Sequence, residues 1–432
     1  MEHIENDRLE EAAGIMFGIA LKHVYINQDY ANDFLEMALL LLNEKLTKKG
    51  ETAFVAKKNT VLYYDNPAFD DHSLTKQFLD SLGALGLHIV YLMPDSRLDS
   101  IPKTRKVIEK YKGDIVTFPA GLSMLDTYYA LCDSILTVKP EYAFFYPIPR
   151  DVPGLLAFMR FKGSMTRFMF DITDHAFWIG RNAFDYFLEC RNYGASLAVL
   201  YRGIPEEKIL EFHYSPVLPD IPFKGYPFPK SDDDFIIFSG GNVYKTLDKG
   251  LTFYNIVYNM LTWHKNVKFW YAMENQAPGF LELKEKFPDR VFNTSIRDDL
   301  KEVFRHSDMF LNTYPMFGGS TMVFAAASLC PPFTLKFNDE VYGLLRNDEK
   351  LGVIFNNYND ILKAIDRYIK DAAYRNEIKG NMKNAIYTRD EMIEYMRRAI
   401  FERRPHTFNI AEPETRDFRA WHFKVFQSEI FS

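Results

Sequence analysis

Two stretches of the chain set glycines beside groups that hold anions, each directly after an apolar run. FIIFSGGNVYKTLDKG, residues 235–250, leads through Gly240 and Gly241 to Asn242, Tyr244 and Lys245. DMFLNTYPMFGGSTMVFAAASLCPPFTL, residues 308–335, leads through Gly318 and Gly319 to Ser320 and Thr321 at the start of an alanine-rich helical pattern. The free N–H groups and positive dipole end of a helix start hold an anion, and glycine lets that anion approach the backbone closely. A phosphate suits the geometry. A lysine at the same edge neutralises a diphosphate as leaving-group charge develops, a role that a metal ion plays in other enzymes. A third loop, NTSIRDDLKEVF, sets Arg297 after the RVFN run, where a guanidinium reaches a base or a phosphate. Each motif also has a plainer reading: a tight βα turn capped by Ser320, a solvated loop lysine, and an arginine paired with Asp298 or Asp299.

These residues need sheet edges to position them. From Asn59 onward TVLYY, HIVYLM, DIVTF, SILTV, YAFFYP, TRFMFDI and LAVLY alternate with helix-like segments, which predicts βαβ units on a parallel sheet. YSPVLPDIPFKGYPFPKSDDD, residues 214–234, has five prolines and an acidic end and reads as a linker. DFIIFS, VKFWYA, RVFN, DMFLN, PFTLKF and GVIF then resume the alternation. The expected organisation is an N-terminal helical segment at 1–49, an α/β domain at 50–220, a linker at 221–233 and a second α/β domain at 234–395. A helical tail at 396–432 is expected to pack back on the first domain. Two such domains leave a cleft, and ligands of open α/β sheets bind outside the carboxyl ends of the strands.

The totals limit the partners. At 432 residues two domains of roughly 200 residues are expected. A net charge of −6 supplies no chain-wide field for nucleic acid or anionic lipid. Cys132, Cys190 and Cys330 lie far apart in apolar surroundings and read as buried free thiols. With no signal-like N-terminus and no apolar run of membrane-spanning length, a cytoplasmic protein is expected. No DxD motif sits in a convincing loop, and the ten histidines show no HxxxH or HExxH spacing, so no metal is expected. DDD at 232–234 reads as a solvated charge run rather than a metal-diphosphate site, and DDH at 70–72 is the nearest alternative.

The series SGGNVYK, NTSIRDD and NTYPMFGGSTMVFAAASLCPPFTL resembles the donor half of GT-B glycosyltransferases, in particular the O-GlcNAc transferase-like group and its bacterial protein-glycosylating relatives. The resemblance spans about residues 235–385. It implies two Rossmann-like domains facing across a cleft, with a C-terminal helix crossing back. It further implies that Lys245 contacts the donor diphosphate, that Ser320 and Thr321 bind it, and that Arg297 lies beside the uracil. TVLYYDNPAFDDHSLTKQFLDSL resembles the first strand and loop of the acceptor domain and brings Asp65 and His72 to the site. DITDHAFWIGRNAFDYFLECR, 171–191, resembles a DHxFWxG segment of bacterial sugar transferases and adds Asp174, His175, Phe177 and Trp178.

Sugar transfer by direct displacement needs a base, cation density on the departing diphosphate and a surface for the sugar ring. His175, His72, Asp174 and Asp65 are the candidate bases, Lys245 the cation, and Phe177 and Trp178 the stacking surface. The Glu-x7-Glu spacing of retaining GT-B enzymes falls here on Met316 and Phe324, which favours inversion. Phe324 also occupies the position of the ribose-binding carboxylate in the O-GlcNAc transferase-like group. The expected function is transfer from a UDP-sugar, as co-substrate, to a protein side chain or an envelope glycan. The alternative is a GT-B-like subunit that has lost catalysis and stabilises an active transferase. Homo- and hetero-oligomers are both open.

Overall fold

The computed structural model describes residues 1–26, 29–48, 53–146, 148, 150–274 and 276–415. Over the described residues the chain divides into two units, 1–213 with 389–413, and 214–388 with 414–415. The first contains β1 (Lys57–Tyr64), β2 (His88–Pro94), β3 (Asp114–Phe118), β4 (Pro140–Phe145), β5 (Thr166–Phe170), β6 (Tyr186–Glu189) and β7 (Ile209–Glu211). They form one sheet in the order β3-β2-β1-β4-β5-β6-β7, with every neighbouring pair parallel. The second contains β8 (Phe235–Gly240), β9 (Val267–Ala272), β10 (Val291–Thr294), β11 (Met309–Leu311), β12 (Pro332–Leu335) and β13 (Ile354–Phe355). Their order, β10-β9-β8-β11-β12-β13, is again all parallel.

Helices on both faces explain why strands such as FIIFSG are buried along their whole length. In each sheet the winding reverses once, between β1 and β4 and between β8 and β11. The carboxyl ends of those strand pairs are the places where doubly wound sheets hold ligands.

Two expected strands are helical. SILTV ends the helix Met124–Val138 and LAVLY lies at the end of Asn192–Leu200, while β6 and β7 come from YFLE and ILE. A short apolar run reads the same in a buried helix and a buried strand, so pattern alone does not separate them. All six runs expected in the second unit are strands.

The N-terminal helices Leu9–Ile26 and Asp33–Thr47 are integral to the first unit: Ala13, Met16, Leu39 and Leu42 join the same core as Leu62, Tyr64 and Phe158. The proline-rich stretch is not free chain, because Phe223, Tyr226 and Phe228 pack on the core of the second unit around Trp270. The expected C-terminal helical tail is corrected in part. After Arg389–Arg397 a wide turn runs to Glu402 and stops at Arg403, whose φ is 51°. Residues 404–415 continue without helix, bridging Leu210 at Pro405 and donating the Ala411 N–H to Ser196 Oγ at 3.2 Å. RDFRAWHFKVFQSEIFS, 416–432, lies outside the described residues. Among the described residues no helix is long and apolar enough to cross a membrane.

Candidate functional site

In the second unit the loops after β8 and β11 are joined at the winding reversal. Strand β8 ends at Gly240, and Gly241 takes φ 135°, a conformation that favours glycine. A short turn, Val243–Thr246, follows, held by the Thr246 hydroxyl against Val243 O and Tyr254 Oη, both at 2.7 Å. It sets the Lys245 carbonyl to accept the Met316 N–H at 3.2 Å, so the lysine turn is bonded directly to the loop after β11.

That second loop is pinned by Asn312, which is buried. Its Oδ1 accepts the N–H groups of Thr313 (3.0 Å) and Gly318 (2.8 Å), and its Nδ2 donates to Thr334 Oγ1 at 3.2 Å. The helix Gly319–Ala327 then begins with no side-chain cap. Ser320 is exposed one residue inside the helix, so it is not the N-cap of the plainer reading, and the first-turn amides lack a side-chain acceptor. The close fit explains the second glycine: a Cβ on Gly319 would stand 3.0 Å from Leu344 Cδ1. Ala325 and Ala326 are buried against the core.

Lys245 is half-buried, and no carboxylate pairs with its ammonium among the described residues. Burial lowers its pKa, and the charge of Glu340 opposes that shift. A half-buried cation without a counter-ion, beside an uncapped helix start, is a site that favours an incoming anion. Asn242 is exposed and Tyr244 half-buried on the same turn. Phe324 is half-buried and packs against the core of Phe238, Trp270 and Phe310, so no carboxylate stands on that face of the helix.

Arg297 departs from its expected role. Its Nε and Nη2 grip the two oxygens of buried Asp299 at 2.7 and 2.6 Å, and its guanidinium lies 5.3 Å from the Trp270 ring centre. The fork that was to meet a nucleobase or phosphate is closed on Asp299, with Nη1 on Gly225 O at 3.3 Å.

In the first unit the reversal between β1 and β4 brings together His72 and Tyr146. His72 precedes the helix Ser73–Ala84, its Nδ1 is 3.5 Å from Thr75 Oγ1, and its ring stands edge-on to Tyr146 at 5.7 Å. Burial, helped by the charge of Lys76, lowers the His72 pKa, so the imidazole is neutral at neutral pH. Tyr146 was not singled out from sequence; its signal was a tyrosine at the carboxyl end of the YAFFYP run.

Asp65 is corrected as a base. It is buried, with Oδ2 accepting from Tyr91 Oη at 2.7 Å and Oδ1 from the Ala68 N–H at 2.9 Å, so it locks the loop. Burial pushes its pKa up to about 6 against those two hydrogen bonds.

His175 follows β5, is partly exposed, and has Nδ1 3.3 Å from Asp174 Oδ1. Asp174 is itself buried and gripped by Arg191 through Nε and Nη2, both at 2.6 Å. Burial opposes its ionisation, but Arg191 and the hydrogen bond from His175 prevail and hold it well below the usual carboxylate range. It orients His175 and is not itself a base. Phe177 and Trp178 are also corrected: both are buried, Phe177 stacked on His23 at 4.7 Å and Trp178 donating Nε1–H to Asp171 Oδ2 at 3.2 Å. With Arg202 4.8 Å over its ring, Trp178 offers no face to a sugar.

Behind this loop three buried carboxyl groups, Asp171, Asp174 and Glu189, meet two buried guanidinium groups, Arg191 and Arg202. Burial, then the charges of Asp171 and Asp174, raise the Glu189 pKa far above normal, so the excess negative charge is removed by a proton. Gly194 is needed here, since a Cβ would lie 2.4 Å from Glu189 Oε2 and 2.6 Å from Asp174 Oδ2.

Comparison with known proteins separates fold from family. No protein-family model matches the chain, and no curated protein matches its sequence. Among solved structures it is similar to a mutant O-GlcNAc transferase of Thermobaculum terrenum, with a TM-score of 0.60 at 12% identity over 96% of this chain and 78% of that one. It is likewise similar to a glycosyltransferase of Rickettsia africae (0.58, 12%, 80% and 98% covered). A UDP-GlcNAc 2-epimerase of Neisseria meningitidis, solved with UDP-GlcNAc bound, is similar at 0.51 and 9%, with 78% and 98% covered. The chain has the GT-B fold.

Proposed function

We propose that this protein is a glycosyltransferase that moves a sugar from a UDP-sugar to a hydroxyl or amide acceptor, with inversion and without a resident metal. The observation that supports this most is Lys245: a half-buried lysine with no ion pair among the described residues, bonded through its carbonyl to the loop that opens an uncapped helix. In this reading the helix amides, Ser320 and Thr321 hold the diphosphate, and Lys245 takes up the charge that builds on it as the glycosidic bond breaks. The acceptor attacks the anomeric carbon from the opposite face and its proton passes to a base. His72 is favoured for that step because it is neutral where a base must be, with His175, oriented by Asp174, the second candidate.

A protein side chain or an envelope glycan is the acceptor in this proposal. Nothing in the charge of the chain favours nucleic acid. One observation favours a second reading: Phe324 stands where the resembled group has a ribose carboxylate, which suits a partner subunit that no longer binds a donor. Isothermal titration with UDP and a panel of UDP-sugars, beside Lys245→Ala, separates the two. Micromolar binding that weakens in the variant supports the transferase; no binding by any nucleotide sinks it and leaves the partner subunit.

A further inference from the structure

The second unit carries an open aromatic ring at the end of its sheet opposite to Lys245. The helix Thr252–Trp263 follows the lysine turn and leads to β9, which lies parallel to β8, so it runs from the carboxyl edge back to the amino edge. A helix of 12 residues spans about 18 Å, which sets Trp263 at the far end from that turn. Trp263 is 50% exposed, and among the described residues its indole has no hydrogen bond, ring partner or cation over it. Trp178 and Trp270, by contrast, are buried and each donates a hydrogen bond through Nε1. A single exposed apolar side chain needs no explanation by itself, so its surroundings decide.

Trp263 lines a groove of 420 Å³ with Asn359, Leu362, Lys363, Asp366 and Lys370 of the helix Tyr358–Lys370. Two contacts tie the groove at its ends. Asn259 Nδ2 donates to Tyr358 Oη at 2.9 Å, and His264 Nε2 stands 3.0 Å from Asp366 Oδ1. The walls are therefore set before a ligand arrives, and binding does not have to order them. Asp366 Oδ1 also meets Lys370 Nζ at 2.7 Å, whereas the Asn359 amide and the Lys363 ammonium have no hydrogen-bond or ion-pair partner among the described residues. This mixture narrows the ligand. An amphipathic helix needs a continuous apolar strip, and the lining offers one ring beside buried Leu362. An acidic peptide meets the Asp366 carboxylate among the lysines. A neutral sugar matches both halves of the lining: its C–H face lies on the indole, and its hydroxyls, donors and acceptors at once, suit an amide, a carboxylate and an ammonium.

We propose that this groove binds a neutral oligosaccharide, with one sugar ring stacked on Trp263 and its hydroxyls held by Asn359, Lys363 and Asp366. The site is separate from the Lys245 turn, so the failure of this proposal leaves the nucleotide-sugar reading standing. Of the two acceptors named above, it supports a glycan.

The test is isothermal titration of the full chain with cellohexaose, maltohexaose and chitohexaose, beside Trp263→Ala and Asn359→Ala. At least one sugar is expected to bind wild type, with affinity about tenfold or more lower in Trp263→Ala and lower also in Asn359→Ala. Thermal unfolding of the variants is the control, because both side chains are exposed and their removal is expected to leave the midpoint unchanged. If Trp263→Ala shifts the midpoint, Asn359→Ala, which keeps the ring, decides. No binding of any of these sugars, or equal binding by wild type and Trp263→Ala, overturns the proposal. Binding of hexaglutamate that depends on Trp263 while the sugars fail also overturns it and gives the groove to an acidic protein segment. Titration of the same preparations with UDP is read separately, so a lost groove and a lost Lys245 site are told apart.

Discussion

The carboxyl edges of the two sheets have the same winding and opposite electrostatic habits. In the second unit the edge at β8 and β11 leaves charge unanswered: among the described residues Lys245 has no ion pair and the helix at Gly319 has no side-chain cap. In the first unit the acids expected to act at the edge are answered from within, Asp65 by Tyr91 and Ala68 and Asp174 by Arg191, and Trp178 donates to Asp171. Two imidazoles stand at that edge, His72 beside Thr75 and Tyr146, and His175 against Asp174. A doubly wound sheet therefore marks where a ligand site can be, while local charge balance decides whether the site waits for an ion or only for a proton.

The largest effect that sharpens this contrast is expected at His72. If the first unit supplies the base, His72→Ala lowers kcat by about 100- to 10,000-fold and leaves UDP affinity unchanged. The base must be neutral, and burial lowers its pKa from 6.5, so the activity of wild type rises with pH on the acid side of 6.5. A rate loss matched by lost donor affinity breaks the division of labour.

Next comes Arg191. Removing the guanidinium leaves Asp174 buried and unpaired, so Arg191→Ala destabilises the first unit by about 3 to 5 kcal/mol in chemical denaturation. A cost below about 1 kcal/mol means that the edge of the first unit is not internally neutralised in this way.

Lys245→Ala is expected to reduce UDP affinity by about 1.5 to 3 kcal/mol without lowering the unfolding midpoint, since among the described residues the ammonium has no ion-pair partner to lose. A variant that is less stable yet binds UDP as before reverses the assignment.

The smallest effect is a slope. Below pH 4.5 folded and unfolded Glu189 both hold a proton. Above it the folded state keeps the proton that the unfolded state loses, so stability falls as pH rises toward the raised folded pKa. At most one proton is involved, or about 1.4 kcal/mol per pH unit, and Glu189→Gln flattens that part of the profile. An unchanged slope means that no proton is stored there.

The sequence was legible where chemistry is local. Gly240, Gly241, Lys245 and the Gly318–Thr321 turn follow strands because the glycines and the apolar runs around them are contiguous, and all six strands of the second unit were readable as apolar runs. It was not legible where the partner is distant. Arg191 answers Asp174 from 17 residues away, and Tyr91 answers Asp65 from 26. Tryptophan and phenylalanine in DHAFWIG read equally as a sugar platform or as core, and only packing against His23 and Arg202 decides for core. SILTV and LAVLY fail for a related reason, since a run of five residues spans too little chain for its period to show. Arg297 shows the converse: Asp299 is two residues away, and that pairing was already the plainer reading of RDD.

The most direct measurement is the thermal unfolding midpoint of the full chain as UDP or a UDP-sugar is added, beside Lys245→Ala. If Lys245 and the Gly319 helix start hold a donor diphosphate, ligand at a hundred times its Kd stabilises wild type by about 2.7 kcal/mol and shifts the variant far less at the same concentration. Equal shifts in the two proteins, or none in either with any nucleotide, contradict a diphosphate site at Lys245.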